Sequence, residues 1–367
     1  MADIFDIQDE VAQAITAALN VTLAGEDVLA RDRPTQNLEA YNAYLEGLSF
    51  VGGDLRSLRL SLSRFDYAVA LDPTFVDAWV ARAEAAYMMV GDSRAAGSES
   101  LERARAYILD ALALDPDEPY MRALEAGSRL GDDYDWYNEM VVYDEAILVV
   151  PADVRSPSAQ LWSLVEAGYW AEALGMGEKI VALDPLSPLV NTRYGAALYA
   201  NGQLDAARQQ FTMAVDRGFE EASYFYFVDR LLDNDPEGAI AIYDTIGKVE
   251  KKDMSAVRTL VEAEFRGENV DRNLAATLNI GVGIVPLISL GRGRLDAFYD
   301  DLLAMEMGDA FTVADTLTYV AMAFPQTGIT AHPRFLELAE SMQMIGVWEK
   351  RGAPDMCTKE ADTWVCE

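Results

Sequence analysis

One histidine, two cysteines and six lysines are all that this chain of 367 residues holds of those types, and no apolar run in it is long. Each shortage excludes something. A lone His332 leaves no second imidazole for a metal pair or a proton relay. The chain has no His-Glu-x-x-His, no Gly-x-Ser-x-Gly elbow and no phosphate-cradling loop, and Gly281-Val-Gly283 and Gly291-Arg-Gly293 are too short for a dinucleotide fingerprint. His332 stands in Ala-His-Pro-Arg-Phe ahead of a helical stretch, so capping or packing suits it better than general-base work. The expectation is a protein that is not an enzyme and takes no cofactor.

Basic residues number 29 against 61 acidic ones, a net charge of −32. Binding to nucleic acid needs a concentrated positive surface that releases counterions, so nucleic acid is excluded as a partner. Direct contact with an anionic membrane is disfavoured for the same reason. The acidity reads either as a solvated surface or as a preference for basic partners. No segment reaches the ~20 apolar residues that span a bilayer. Ile280–Leu290 is the most apolar run, eleven residues broken by Gly281, Gly283 and Pro286, which suits a buried helix or a bend. The opening Asp3, Asp6 and Asp9 lack the basic segment and apolar core of a signal peptide. Cys357 and Cys366 lie near the C-terminal end. They read either as a disulfide closing the tail, which implies an oxidising, periplasmic or extracytoplasmic compartment, or as reduced thiols in the cytoplasm. Structural zinc wants four nitrogen or sulfur ligands, and only His332 is left to join them, so no metal is expected.

What the chain does have is a register, Ala-x3-Phe-x2-Ala-x4-Pro, closing on Leu-Asp-Pro. Pro73, Pro116, Pro151 and Pro185 mark it, with gaps of 43, 35 and 34 residues. Before each mark stand three packing slots: Ser61, Phe65, Ala68; Ala104, Ile108, Ala111; Glu139, Tyr143, Ala146; and Ala173, Gly177, Ile180. Ala207, Phe211 and Ala214 hold them one repeat on, with Phe219 where proline would stand. A period near 34 with this pattern is the mark of tetratricopeptide repeats. Small residues let the two helices of a repeat approach closely, the larger residue fills the groove between them, and proline ends the second helix. One helical hairpin cannot bury its apolar face, whereas stacked hairpins bury a continuous one. Trp79 sits six residues after Pro73, where the pattern expects a tryptophan, and Gly202 marks a turn. The longest gap reads as an insertion around Gly91–Ser100.

The expected fold is therefore all-α, a right-handed tetratricopeptide superhelix (an α-solenoid) with helical N- and C-terminal caps. Residues 1–37 read as a capping helix, Asp6–Leu19, and a linker; 38–253 as six repeats; 254–330 as degenerate repeats; and 331–367 as a helical cap with a cysteine-closed tail. No strand periodicity is present. The first helix of each repeat lines the concave groove of such superhelices. Counting from each repeat's start places Asp77, Glu84, Tyr87, Arg155, Trp162, Thr192, Tyr199, Tyr226 and Arg230 there. Aromatic and arginine side chains are common binding anchors. The competing reading is that Trp162 and the Tyr224–Phe227 run pack between repeats. A two-carboxylate clamp for an acidic peptide terminus is not expected, because Val80, Glu84, Ser158 and Trp162 stand where it needs lysines and asparagines, although Arg155 and Arg193 face that region.

Three stretches carry a resemblance. Ile4-Phe5-Asp6-Ile7-Gln8-Asp9-Glu10-Val11 resembles the helix that joins a TolB-like domain to its repeats. Tyr134-Asp135-Trp136 resembles the start of a middle repeat. His332-Pro333-Arg334-Phe335, with Trp348 and Gly352-Ala353-Pro354-Asp355-Met356-Cys357, resembles a characteristic C-terminus. Together they resemble the tetratricopeptide C-terminal region of bacterial regulators, where it follows a class III adenylate cyclase or a winged-helix domain. The resemblance implies a sensory or scaffolding module for signal transduction. Its partner would be a protein or peptide, or else a small molecule, held in the groove. The alternative is a structural assembly protein that associates with itself.

Overall fold

The computed structural model describes residues 34–51, 55–90, 98–128, 136–151, 153–217, 219–250, 255–268, 284–304 and 313–367. The expected opening helix Asp6–Leu19, most of the insertion around Gly91–Ser100 and residues 274–283 lie outside them. Eighteen α-helices and one short strand pair are present among the described residues. In chain order the helices are α1 (Leu38–Leu48), α2 (Leu55–Leu71), α3 (Val76–Val90), α4 (Ser98–Leu114), α5 (Pro119–Ser128), α6 (Trp136–Val149), α7 (Arg155–Glu166), α8 (Trp170–Leu183), α9 (Pro188–Ala200), α10 (Leu204–Val215), α11 (Glu220–Leu232) and α12 (Pro236–Glu250). These twelve form six antiparallel hairpins. Then follow α13 (Ser255–Phe265), α14 (Ile284–Gly291), α15 (Leu295–Leu303), α16 (Val313–Met322), α17 (Phe335–Ser341) and α18 (Met344–Arg351).

The packing slots of the register are all buried, from Ser61, Phe65 and Ala68 through to Ala207, Phe211 and Ala214. Small residues do what the register asks of them. A methyl group on Gly47 would lie 2.5 Å from the Phe65 ring, and one on Gly195 would lie 2.6 Å from the Phe211 ring. Local chemistry sets the helix ends. Ser187 caps α9 by accepting from the Val190 N–H at 3.3 Å, and Pro188 follows in the first turn. The Trp79 indole donates to the Pro73 carbonyl at 3.0 Å, tying a first helix to the preceding bend. Asn191 stands six residues after Pro185 and donates to that carbonyl at 3.1 Å, so one slot makes one bond with two residue types.

Turns repeat as well. Gly168, Gly202, Asn234, Gly267 and Gly293 all take positive φ. The residue after each donates back to the carbonyl five positions earlier, as in Tyr169 to Leu164 at 2.8 Å, Gln203 to Leu198 at 2.9 Å and Arg294 to Ser289 at 2.9 Å. This is the Schellman end of a helix, in which a left-handed residue satisfies the last carbonyls. The turn at Gly293 joins α14 to α15 in a further hairpin, and α14 packs on α11. The apolar run at 280–290 thus contains a buried helix, with all of α14 in the core.

First helices adjoin first helices, α7 with α9, α9 with α11 and α11 with α14, and they make the inner layer of the stack. The second helices lie outside. The tail then returns: α16 lies against α7 and α14 of the inner layer, and α18 lies on α6. The last residues, expected as a loop, form a two-stranded antiparallel hairpin, β1 (Cys357–Glu360) with β2 (Thr363–Cys366). Its pairing sets Cys357 opposite Cys366, and the two form a disulfide. The hairpin is docked by the Asp355 N–H on the Gly168 carbonyl at 2.9 Å and by Met356 against Gly168.

Gly195 and Phe211 offer a test of the register. Gly195→Ala is expected to cost about 1–3 kcal/mol by overpacking, and Phe211→Ala about 3–5 kcal/mol. In the double variant the added methyl occupies part of the vacated space, so urea unfolding should show a loss smaller than the two single losses together. Gly175→Ala, which meets nothing within 4 Å, is the control and should be neutral or stabilising.

Candidate functional site

The inner layer divides in two. In its later half the first helices are covered by the chain itself. Tyr319 of α16 stacks on Trp162 of α7 with ring centres 4.0 Å apart, and meets Phe225 of α11 edge-on at 5.2 Å. Phe324 lies 4.3 Å from Tyr199. The Arg193 guanidinium sits 4.0 Å over the Trp162 ring, on the same side chain that gives its indole N–H to Glu166 at 2.8 Å. Tyr319, Val320, Ala321, Met322, Ala323 and Phe324 are all fully buried.

Four of the expected groove residues therefore belong to packing. Trp162 is the platform for Tyr319. Thr192 is buried, its hydroxyl donating to Pro188 of its own helix at 2.9 Å. Tyr199 is buried and donates to Asp229 at 2.6 Å; burial, then this bond, drives its acidity far down. Arg230 pairs with the same buried Asp229 and lies 5.1 Å over the half-buried Tyr226 ring. Arg208 completes that cluster at 2.9 Å from Asp229. A buried carboxylate needs such partners, since an unpaired one is strongly penalised. Tyr226 is the fifth residue of this half; it keeps partial exposure at the edge of the packed face.

In the earlier half, the first helices α1, α3, α5 and the start of α7 bring another set together. Asp77, Tyr120 and Arg155 occupy one slot, four residues after Pro73, Pro116 and Pro151, and so form a row. The Arg155 guanidinium lies 4.7 Å over the Tyr120 ring, 2.9 Å from Asp153 and 3.7 Å from Glu118. The Tyr120 hydroxyl donates to Glu84 at 3.4 Å. Tyr44 joins from α1, packed edge-on against Phe75 at 5.0 Å, and burial with the nearby Asp77 carboxylate pushes its hydroxyl up to about 12. Tyr87 is buried one turn behind Glu84. Desolvation holds the Glu84 and Glu118 carboxyls above their ordinary range, against the pull of Arg155. The result is an aromatic-walled, acid-rich face with a single guanidinium at its centre.

Sequence reasoning placed Asp77, Glu84 and Arg155 here, gave the groove Tyr87, which is buried in the core instead, and missed Tyr44, Glu118, Tyr120 and Asp153. The signal for Tyr120 was available, because it holds the slot that selected Asp77 and Arg155. His332 lies elsewhere. It stacks on Tyr299 at 4.6 Å and accepts from the Arg334 N–H at 3.3 Å in the turn ahead of α17, a packing role. No helix of the described residues is long and apolar enough to cross a membrane.

No protein-family model and no curated protein matches this sequence. Among solved structures, the chain is similar to yeast Tom70 at 15% identity and a TM-score of 0.43, over 91% of this chain and 76% of that one. It is similar to PilW, a type IV pilus biogenesis factor, at 15% identity and 0.38, over 59% and 96%. YrrB, a tetratricopeptide protein with an unusual peptide-binding site, shows 14% identity and 0.27, over 52% and 90%. Scores at this level carry no functional argument. The tetratricopeptide-like solenoid is assigned on the chain's own register and hairpins.

Two outcomes are expected from the two halves. Trp162→Ala and Tyr199→Ala should each destabilise the fold by about 3–5 kcal/mol in urea unfolding, as large-to-small changes in a packed core do. A loss under about 1 kcal/mol would detach α16 from the inner face. Glu84 should act through pH. Its carboxyl is raised from 4.5, so the folded state holds the proton more tightly than the unfolded one, and stability falls as pH rises from 4.5 through the folded value. Glu84→Gln removes this loss. It should be more stable than the parent at pH 7, with the difference vanishing below about pH 4.5 by urea midpoints.

Proposed function

We propose that the chain is a non-catalytic binding scaffold that docks a protein or peptide partner on the inner face of α1, α3, α5 and the start of α7. One observation carries this reading. Among the described residues, no element lies across that face as α16 lies across α7 and α14. Its chemistry suits recognition. Tyr44 offers a partly exposed ring, Arg155, backed by the buried Tyr120 ring, offers a fork for a carbonyl or carboxylate, and Asp77, Glu84 and Glu118 favour a segment that also carries positive charge.

In this reading the chain is the sensory or scaffolding module of a signalling regulator, the role that the resemblance to bacterial regulators implies. The Cys357–Cys366 disulfide supports an extracytoplasmic setting, since such bonds persist in oxidising compartments. The stack supports binding over catalysis because its repeats devote their register positions to packing, which leaves the inner face of the earlier hairpins as the presented surface.

The test is a selection of displayed random peptides against the whole chain, with the recovered peptides measured by fluorescence anisotropy. Tyr44→Ala and Arg155→Ala should each weaken binding at least tenfold, with circular dichroism checking that each variant is folded at the assay temperature. Peptides that bind both variants as tightly as the parent would remove this face from the function.

A further inference from the structure

We infer that a second surface, the edge made by the C-terminal ends of α4, α6 and α8, docks an amphipathic basic helix of a partner protein. Leu114, Val149 and Leu183 hold one slot, two residues before Pro116, Pro151 and Pro185, so they form a row across three successive hairpins. They are exposed to 41%, 67% and 52%. Leu109, Leu148 and Leu186 widen the row at 55%, 79% and 68%. Single exposed apolar residues need no explanation, whereas a contiguous patch marks an interaction surface. The same helices bury Ile108 and Ala111, Tyr143 and Ala146, and Ala173 and Ile180, so the outward row does not come from a misplaced inner face.

Charge identifies the occupant. Asp110, Asp115, Asp117, Glu145, Glu178 and Asp184 flank the row, against Lys179 and against Arg82, which lies 3.6 Å from Asp110. A second copy would bring the same acidic rim against itself in a chain of net charge −32, and an anionic bilayer would be repelled equally. A helix with an apolar stripe between lysines or arginines covers the leucines and neutralises the rim. The chain uses this chemistry on adjoining ground. Its own α18 lies on α6 with Lys350 at 4.9 Å over the Tyr137 ring, and Arg351 bridges Asp144 of α6 and Glu172 of α8 at 3.1 and 2.6 Å. That helix covers the earlier part of α6 and leaves Leu148 and Val149 open.

The probe is a fluorescent 18-residue leucine–lysine amphipathic helix, titrated into the full chain by anisotropy. Its leucine–glutamate counterpart serves as the control. The triple variant Leu148→Gln, Val149→Gln, Leu186→Gln leaves net charge unchanged, and circular dichroism checks its fold; the pair Leu183→Gln, Leu186→Gln replaces it if it melts early. The lysine probe should bind the parent at micromolar concentration and the variant at least tenfold more weakly. The glutamate probe should not bind, and hydrogen exchange should slow at 109–117, 145–151 and 180–187 in the complex. Equal binding by parent and variant, or no binding by the parent, overturns the inference. So does a dimer in light scattering that the variant abolishes, which gives the face to a second copy. Binding to neutral phosphatidylcholine vesicles that the variant loses overturns it in favour of lipid. Tyr44→Ala and Arg155→Ala should leave probe binding intact, so this surface and the inner face fail separately.

Discussion

The Trp348 indole donates to the Ala167 carbonyl at 2.9 Å across 181 residues of sequence. That contact closes the solenoid on itself. Around it the Tyr169 hydroxyl reaches Gly352 at 2.7 Å, and the Ala171 N–H reaches Asp355 at 2.7 Å. Trp364 of β2 packs 5.3 Å from Trp348. An ordinary solenoid has only neighbour contacts, and its stability is close to a sum over repeats. Here the last fifty residues return to the turn between α7 and α8, and one apolar core runs from Trp136 to Trp364.

Closure explains why the inner face is used unevenly. Once α18 and the hairpin are fixed on α6 and the Gly168 turn, α16 has to cross the inner side of α7, and its Tyr319 and Phe324 take the space that a ligand would enter. The charged residues Asp229 and Glu166 left inside are paired as burial requires. Asp229 sits between Arg208 and Arg230, and Glu166 accepts from Trp162. Among the described residues the earlier hairpins carry no such lining; Asp77 is exposed and Arg155 partly so, with Tyr120 buried between them.

Much of the fold was legible, because it is written locally. Pro73, Pro116, Pro151 and Pro185 end the outer helices, and the three slots before each are buried as the register requires. Gly202 is the turn it was read to be. The closure was not legible. Trp162 and Tyr199 hold groove positions by count, and nothing within their own repeats distinguishes a residue that faces solvent from one that faces α16. That information lies in Tyr319 and Phe324, far along the chain, where no period repeats. The strand pair was missed for a related reason: four residues a side give too short an alternation, and Cys357–Cys366 together with the Trp348–Trp364 contact hold it instead.

An open stack can gain or lose a hairpin, because a new rung meets the same neighbours as the old. A closed one is a ring of fixed circumference. If one more hairpin were inserted between α8 and α14, Tyr319 would no longer arrive over Trp162, and Trp348 would no longer meet Ala167. The contact that seals this chain therefore also counts its repeats. Changes in length are confined to stretches outside the ring, such as the hairpins before α6, where a rung can be added without disturbing the seal.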